Sequence, residues 1–300
     1  MNIQISMEQK NMNIEALSRM LYYSTGILAF FIFTPIMAHP LIRTLTAVNA
    51  EVACISGEAS SPYAERVRLI HRLPSNLAPE QLERCRAFLE SPLAGQPLPD
   101  LEFNGLKNEL VFALLRQREG LTELAELLLR MSRAPETDAT WRDYCVQFLG
   151  KCYPRIRDAK SREAMADALW DALRTQRRGR AAGSAARQLM TLGRTFPEFP
   201  LEKVASASLE ALLDPASSDE TKTALLQVCG TLGERGALAT ARTIAGRNSS
   251  PVLRASAIAA VGMLGDESDL PFLRRLAASG DVRVSSPAKA AIERIPNTSL

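Results

Sequence analysis

Residues 250–295 read SPVLRASAIAAVGMLGDESDLPFLRRLAASGDVRVSSPAKAAIERI. Pro251 stands near the start of an apolar, alanine-rich run, where its missing N–H costs a helix nothing. The run closes at Leu264-Gly265-Asp266. Leu270, Leu273, Leu276 and Ala277 form the stripe of a second helix, and Asp281-Val282-Arg283 opens a third. Val284, Ala288, Ala291, Ile292 and Ile295 carry the third stripe. Each stripe covers one face, so each helix needs a neighbour on that side.

The same punctuation recurs upstream. Leu149-Gly150, Leu192-Gly193, Leu232-Gly233 and Leu264-Gly265 are spaced by 43, 40 and 32 residues. A glycine that ends a helix at this interval is the mark of a solenoid of helical hairpins. Helical periodicity fills the intervals: Leu106, Leu110, Ala113 and Leu114; Leu121, Leu124, Leu128 and Met131; Trp141, Cys145, Phe148 and Leu149; Met165, Leu169 and Leu173; Leu225, Val228, Cys229 and Leu232. Small residues gather at 181–186 and 255–260, where they predict close contacts between helix axes. No alternating β-branched segment competes. Further upstream, residues 62–73 and 79–90 predict a first helix pair, and the Pro/Gly-rich connector Ser91–Asp100 (SPLAGQPLPD) follows.

Over residues 250–295 the chain resembles HEAT repeats of the bilin-lyase-like subtype. The features that carry the resemblance are Pro251, Val252, Arg254, Ala255, Ala259, Leu264-Gly265-Asp266, the leucine stripe of the second helix and Asp281-Val282-Arg283. It weakens to the Leu-Gly period over 101–249 and is absent from 1–60. It implies a right-handed α-solenoid, with one helix of each pair on the convex face and the other on the concave face. It implies no single activity, because such folds serve mostly as binding scaffolds.

Composition agrees with closely packed helices. The 300 residues are 46% hydrophobic, 6% aromatic and 23% charged. A net charge of +3 exerts no global pull on nucleic acid or anionic membrane, so any such binding needs a local patch.

Residues 27–38 (ILAFFIFTPIMA) are the most apolar stretch. A membrane helix needs about 20 apolar residues, so this length fits the core of a signal peptide better. Lys10 and Arg19 flank it, and Val48 and Ala50 place small residues before a cut at Glu51. An uncleaved anchor over residues 21–38 and a buried cytosolic helix are the alternatives.

The five cysteines allow two pairings if the chain is exported: Cys54 with Cys85, and Cys145 with Cys152. Seven residues along one helix separate Cα atoms by about 10 Å, too far for a bridge. Cys145–Cys152 therefore requires a helix stop at Gly150. Unpaired, buried thiols are the other reading, and Cys229 lies on an apolar face.

Chemistry-bearing motifs are scarce. The two histidines, His39 and His71, make HExxH zinc sites and multi-histidine centres untenable. No CxxC, GxSxG or GxxxxGK[ST] occurs. The acid pairs Glu123/Glu126 and Asp167/Asp171 read as solvated helix faces. Two clusters stand out. Trp141-Arg142-Asp143-Tyr144 mixes aromatic and charged groups, with Trp141 on the apolar stripe; its functional reading is a base-repair site of Trp141, Asp143 and Trp170. Arg174, Arg177, Arg178 and Arg180 crowd a helix–helix junction. They read either as a solvated helix end, where the dipole favours cations, or as a site for an anionic ligand.

The sequence thus predicts an all-α, HEAT-like solenoid with an N-terminal hydrophobic targeting helix. Residues 1–50 are expected to be the signal or anchor, 51–100 the N-terminal hairpin and connector, and 101–300 the array. The expected function is a non-catalytic protein-interaction scaffold, extracytoplasmic (periplasmic or secreted), without cofactor or metal. It binds a protein on its concave face, with Arg174, Arg177, Arg178 and Arg180 as the binding residues. The alternatives are a nucleic-acid-binding or base-repair protein and a bilin-lyase-like modifying protein.

Overall fold

The structure is a computed structural model, and it describes residues 48, 49, 51–53, 55, 61–95, 98–247 and 249–295. Residues 1–60 form one unit, in which the few described residues are helical. The expected targeting segment, with residues 21–38, and Cys54 lie outside the described residues. Among the described residues, no helix is long and apolar enough to cross a membrane.

Residues 61–300 form the second unit. Thirteen helices are described in it: α1 (Tyr63–Arg72), α2 (Pro79–Glu90), α3 (Asp100–Leu115), α4 (Leu121–Arg133), α5 (Ala139–Cys152), α6 (Ala159–Thr175), α7 (Ala181–Gly193), α8 (Leu201–Leu213), α9 (Asp219–Leu232), α10 (Leu238–Gly246), α11 (Pro251–Leu264), α12 (Leu270–Ala277) and α13 (Val282–Arg294). No described residue of this unit is in a strand.

The helices sort into two layers. Each odd-numbered helix packs on the next odd-numbered one, α1 on α3 through to α11 on α13. From α4 onward each even-numbered helix lies mainly against the odd-numbered helix that follows it, and the even-numbered helices touch one another far less. This is an α-solenoid. Helix α1 packs on α3, and α2 on α3 and α4, across the connector that follows α2. Lys107 of α3 ties that connector down by donating from Nζ to the Ser91 carbonyl at 2.6 Å.

Side-chain size explains the closeness of the odd layer. A Cβ built on Gly183 would stand 2.7 Å from the Ala224 Cβ of α9 and 3.4 Å from the Thr221 backbone. Gly230 of α9 likewise faces Met263 of α11. Ala181, Ala182, Ala185 and Ala186 are all buried along α7. The stretch at 181–186 is an inner contact, as its composition predicts; of the alanines in 255–260 only Ala257 and Ala260 are buried, and Ala255 and Ala259 are half-buried.

Gly150 departs from expectation. Helix α5 runs through it to Cys152 without a stop. A Cβ there would lie 2.7 Å from Gln188 Cγ of α7, so this glycine admits a neighbour instead of ending a helix. Gly233, by contrast, does close α9, with φ at 73°. The continuous α5 removes the geometry that a Cys145–Cys152 disulfide needs. Both are free and buried, as are Cys85 and Cys229.

Polar ties bridge successive repeats. His71 Nε2 lies 2.8 Å from Glu109 Oε2, and Arg162 Nη2 donates to Glu198 Oε1 at 2.6 Å. Arg242 holds the buried Asp269 carboxylate through Nε and Nη2, at 2.6 and 2.8 Å.

Candidate functional site

The arginine cluster lies on the turn between α6 and α7. Helix α6 begins at Asp158, whose carboxylate accepts from the Ser161 N–H, and it ends at Thr175. The turn is clamped on both sides by neighbouring repeats. Gln176 Nε2 donates to the Ser132 carbonyl at 3.0 Å. The Gly179 carbonyl accepts from Ser218 Oγ at 2.7 Å and from Thr221 Oγ1 at 2.6 Å. The Ser218 N–H donates to the Arg177 carbonyl at 2.9 Å. A turn fixed by four such bonds presents its side chains from a rigid base.

The side chains border a surface cavity of about 470 Å³. Arg174, Arg177, Arg178 and Arg180 all line it, together with Arg142 from α5 and Asp214 from the turn after α8. Arg177 is already engaged. Its Nη1 donates to Asp214 Oδ2 at 2.7 Å and its Nη2 to Glu210 Oε1 at 2.9 Å. Arg177 also holds the Asp214 carboxyl below its ordinary range. Arg174, Arg178 and Arg180 are exposed, and no side-chain hydrogen bond or ion pair occupies them. Arg142 donates from Nη2 to the Thr137 carbonyl at 3.0 Å. Five guanidinium groups therefore surround one carboxylate, and that carboxylate is spent on Arg177. Ala181 opens α7 at the cavity wall, so the positive end of that helix adds to the field. The arrangement suits carboxylates or phosphates, which planar guanidinium forks grip through two oxygens.

The two tryptophans do not line this cavity. Trp141 is 1% exposed and Trp170 is 8% exposed, each with a lysine ammonium over its ring: Lys107 at 5.2 Å and Lys203 at 4.8 Å. Neither ring is open for a base to stack on. Asp143 is buried too; Gln147 Nε2 donates to its Oδ2 at 3.0 Å, and burial pushes its carboxyl above the ordinary range. Glu123, Glu126, Asp167 and Asp171 are exposed, as solvated faces should be.

Two contributors escape a reading by local clusters. Arg142 and Asp214 reach the cavity only through stacking of repeats, and the 37 residues between Arg177 and Asp214 are about one repeat. The period already visible in the Leu-Gly pairs could have suggested that pairing. Among the described residues, no group of three or more His, Cys, Asp or Glu side chains is placed to hold a metal ion.

Residues 206–293 match the family described as HEAT repeats. Over these residues the chain is similar to HEAT repeats. The bilin-lyase-like subtype is not distinguished by that match. Comparison with curated proteins finds no match. Among solved structures, human deoxyhypusine hydroxylase in complex with glycerol is similar at 15% identity and a TM-score of 0.34, over 85% of this chain and 98% of that one.

Proposed function

We propose that this HEAT-repeat protein is a non-catalytic scaffold that holds a partner protein through acidic side chains seated among Arg174, Arg178 and Arg180. One observation carries the reading: these three guanidinium groups border a cavity on a clamped turn, and no salt bridge engages them, although Asp143 lies within electrostatic reach of Arg180. Arg177 supports the site from below, because its two ion pairs fix the turn against the next repeat. Because the turn is already clamped, a carboxylate that binds there orders side chains but no loop, which lowers the cost of binding.

The odd-numbered layer is the more closely spaced of the two. A two-layer array bends toward its tighter layer, which supports placing the concave face on that side. Export of the array is part of the proposal, supported by the apolar run at 27–38 and the small residues before Glu51. N-terminal sequencing of protein from its host tests export: a start at or near Glu51 supports it, and an intact, soluble chain contradicts it.

The binding test uses a fluorescent decaglutamate peptide titrated with the whole chain and with R174E/R178E/R180E. The expected result is saturable binding that weakens by roughly tenfold or more in the triple variant and falls with added salt. Equal binding by both proteins overturns the reading. A DNA duplex that binds where the peptide does not would favour the nucleic-acid alternative.

A further inference from the structure

The arginine cavity does not stand alone. Arg180 also lines a second cavity of about 600 Å³ on the outer face of the odd layer, together with Tyr144, Arg187 and Thr223. Val252 lines that second cavity and also a third, of about 810 Å³, between α9, α11 and α13. The first two share Arg180 and the last two share Val252, so the three lie in succession along a track from α7 to α13.

Chemistry changes along the track. At the Arg180 end the unpaired groups are guanidinium groups. In the middle, Asp143, Asp219 and Glu220 line the cavity with Arg180 and Arg187 and leave no surplus of positive charge. At the far end the lining is mainly apolar: Val252, Ala255, Ala259, Met263, Val282 and Pro287 outweigh Gln227, Thr231 and two serines. Val252 and Val282 are each 68% exposed, an unusual placement for β-branched apolar side chains. The basic groups there are Arg283, paired with Asp281 at 2.9 Å, and Arg294.

We infer that this track binds a single partner segment of two parts, an acidic end in the arginine cavity and an apolar end between α11 and α13. The inference rests on the proposed function and specifies the partner's chemistry. Charge complementarity selects the occupant: Asp219 and Glu220 repel acidic side chains from the middle, so those are confined to the arginine end. The apolar end takes leucine- or phenylalanine-type side chains, which the exposed valines cover. Length follows from helix spacing. Axes in a packed layer lie about 8–10 Å apart, so the track from α7 to the α11–α13 groove spans about 20–25 Å. An extended segment covers that in about seven residues.

The test uses three synthetic probes with the whole chain: a triglutamate peptide, a Leu-Leu-Phe peptide, and the two joined by about seven Gly/Ser residues, made in both orders. Joining makes the second contact intramolecular, so one joined order should bind roughly tenfold or more tighter than either half. R174E/R178E/R180E and V252D/V282D should each abolish that gain. Both valines are mostly exposed, so the second variant leaves the core intact. If triglutamate binds through the arginines but neither joined peptide binds tighter, the inference fails and the proposed function stands. Failure of triglutamate to bind removes both. A gain that persists in V252D/V282D also overturns the inference.

Discussion

Gly262 of α11 lies so close to Ala291 of α13 that a Cβ on the glycine would stand 2.6 Å from the Ala291 Cα and 3.0 Å from its carbonyl oxygen. No flexible side chain is there to move aside, because the near atoms are backbone and the fixed Cβ of Ala291. The final step of the solenoid is set by a missing methyl group.

Gly262→Ala should therefore destabilise the array. Alanine gains about 1 kcal/mol of helix propensity over glycine, and over-packing costs about 1–3 kcal/mol or more, so a net loss of up to a few kcal/mol is expected. Gly246→Ala is the control. Its Cβ would meet only Phe272 Cε2, at 3.8 Å, an ordinary contact. It should be neutral or slightly stabilising. Urea unfolding of the two variants checks the contrast.

The cysteines give a second prediction. Burial pushes Cys85, Cys152 and Cys229 up to about 12, and raises Cys145 as well. The thiolate is the reactive form. Iodoacetamide at pH 8 should leave all four unmodified in the folded protein and alkylate all four in urea. Peptide mapping reads this directly, and a Cys145–Cys152 bridge would show as a pair protected in urea without reductant.

Lys107 supplies a pH dependence. It is 2% exposed, with its ammonium 4.8 Å from the Phe103 ring centre and 5.2 Å from that of Trp141. Burial lowers its pKa from the ordinary 10.5 to about 8, with opposing contributions from Cys145 and Asp138. Between those values the unfolded chain holds a proton that the folded chain has released, so stability contributed by this site rises with pH. The stability of wild type minus that of Lys107→Met should be flat below pH 8. It should then grow in favour of wild type by roughly 2–3 kcal/mol up to pH 10.5. Paired denaturant titrations across that range test the sign, and a flat difference contradicts it.

The architecture was legible because apolar periodicity survives packing. Leu106, Leu110, Ala113 and Leu114 are buried as their spacing predicts, and so are Met165, Leu169 and Leu173. Gly150 was misread for a physical reason: a glycine that stops a helix and one that admits a neighbouring helix have the same local sequence. Only Gln188, 38 residues away, separates the cases. Lys107 was missed because a lysine on a helix normally marks its wet face, whereas here Ser91 and two aromatic rings enclose it. The arginine cluster was visible in sequence, but the division of labour within it was not. Arg177 and Arg178 are adjacent in the chain, yet one is bound to Asp214 and Glu210 and the other is free.

The central claim is that the α6–α7 turn is a docking surface for acidic side chains. Hydrogen–deuterium exchange of the whole chain, with and without saturating decaglutamate, tests it most directly. The account predicts slowed exchange at residues 174–182 and in the adjoining turn at 214–218, with the even-numbered helices away from that turn unchanged. Slowed exchange confined to other segments, or none at saturation, would contradict it.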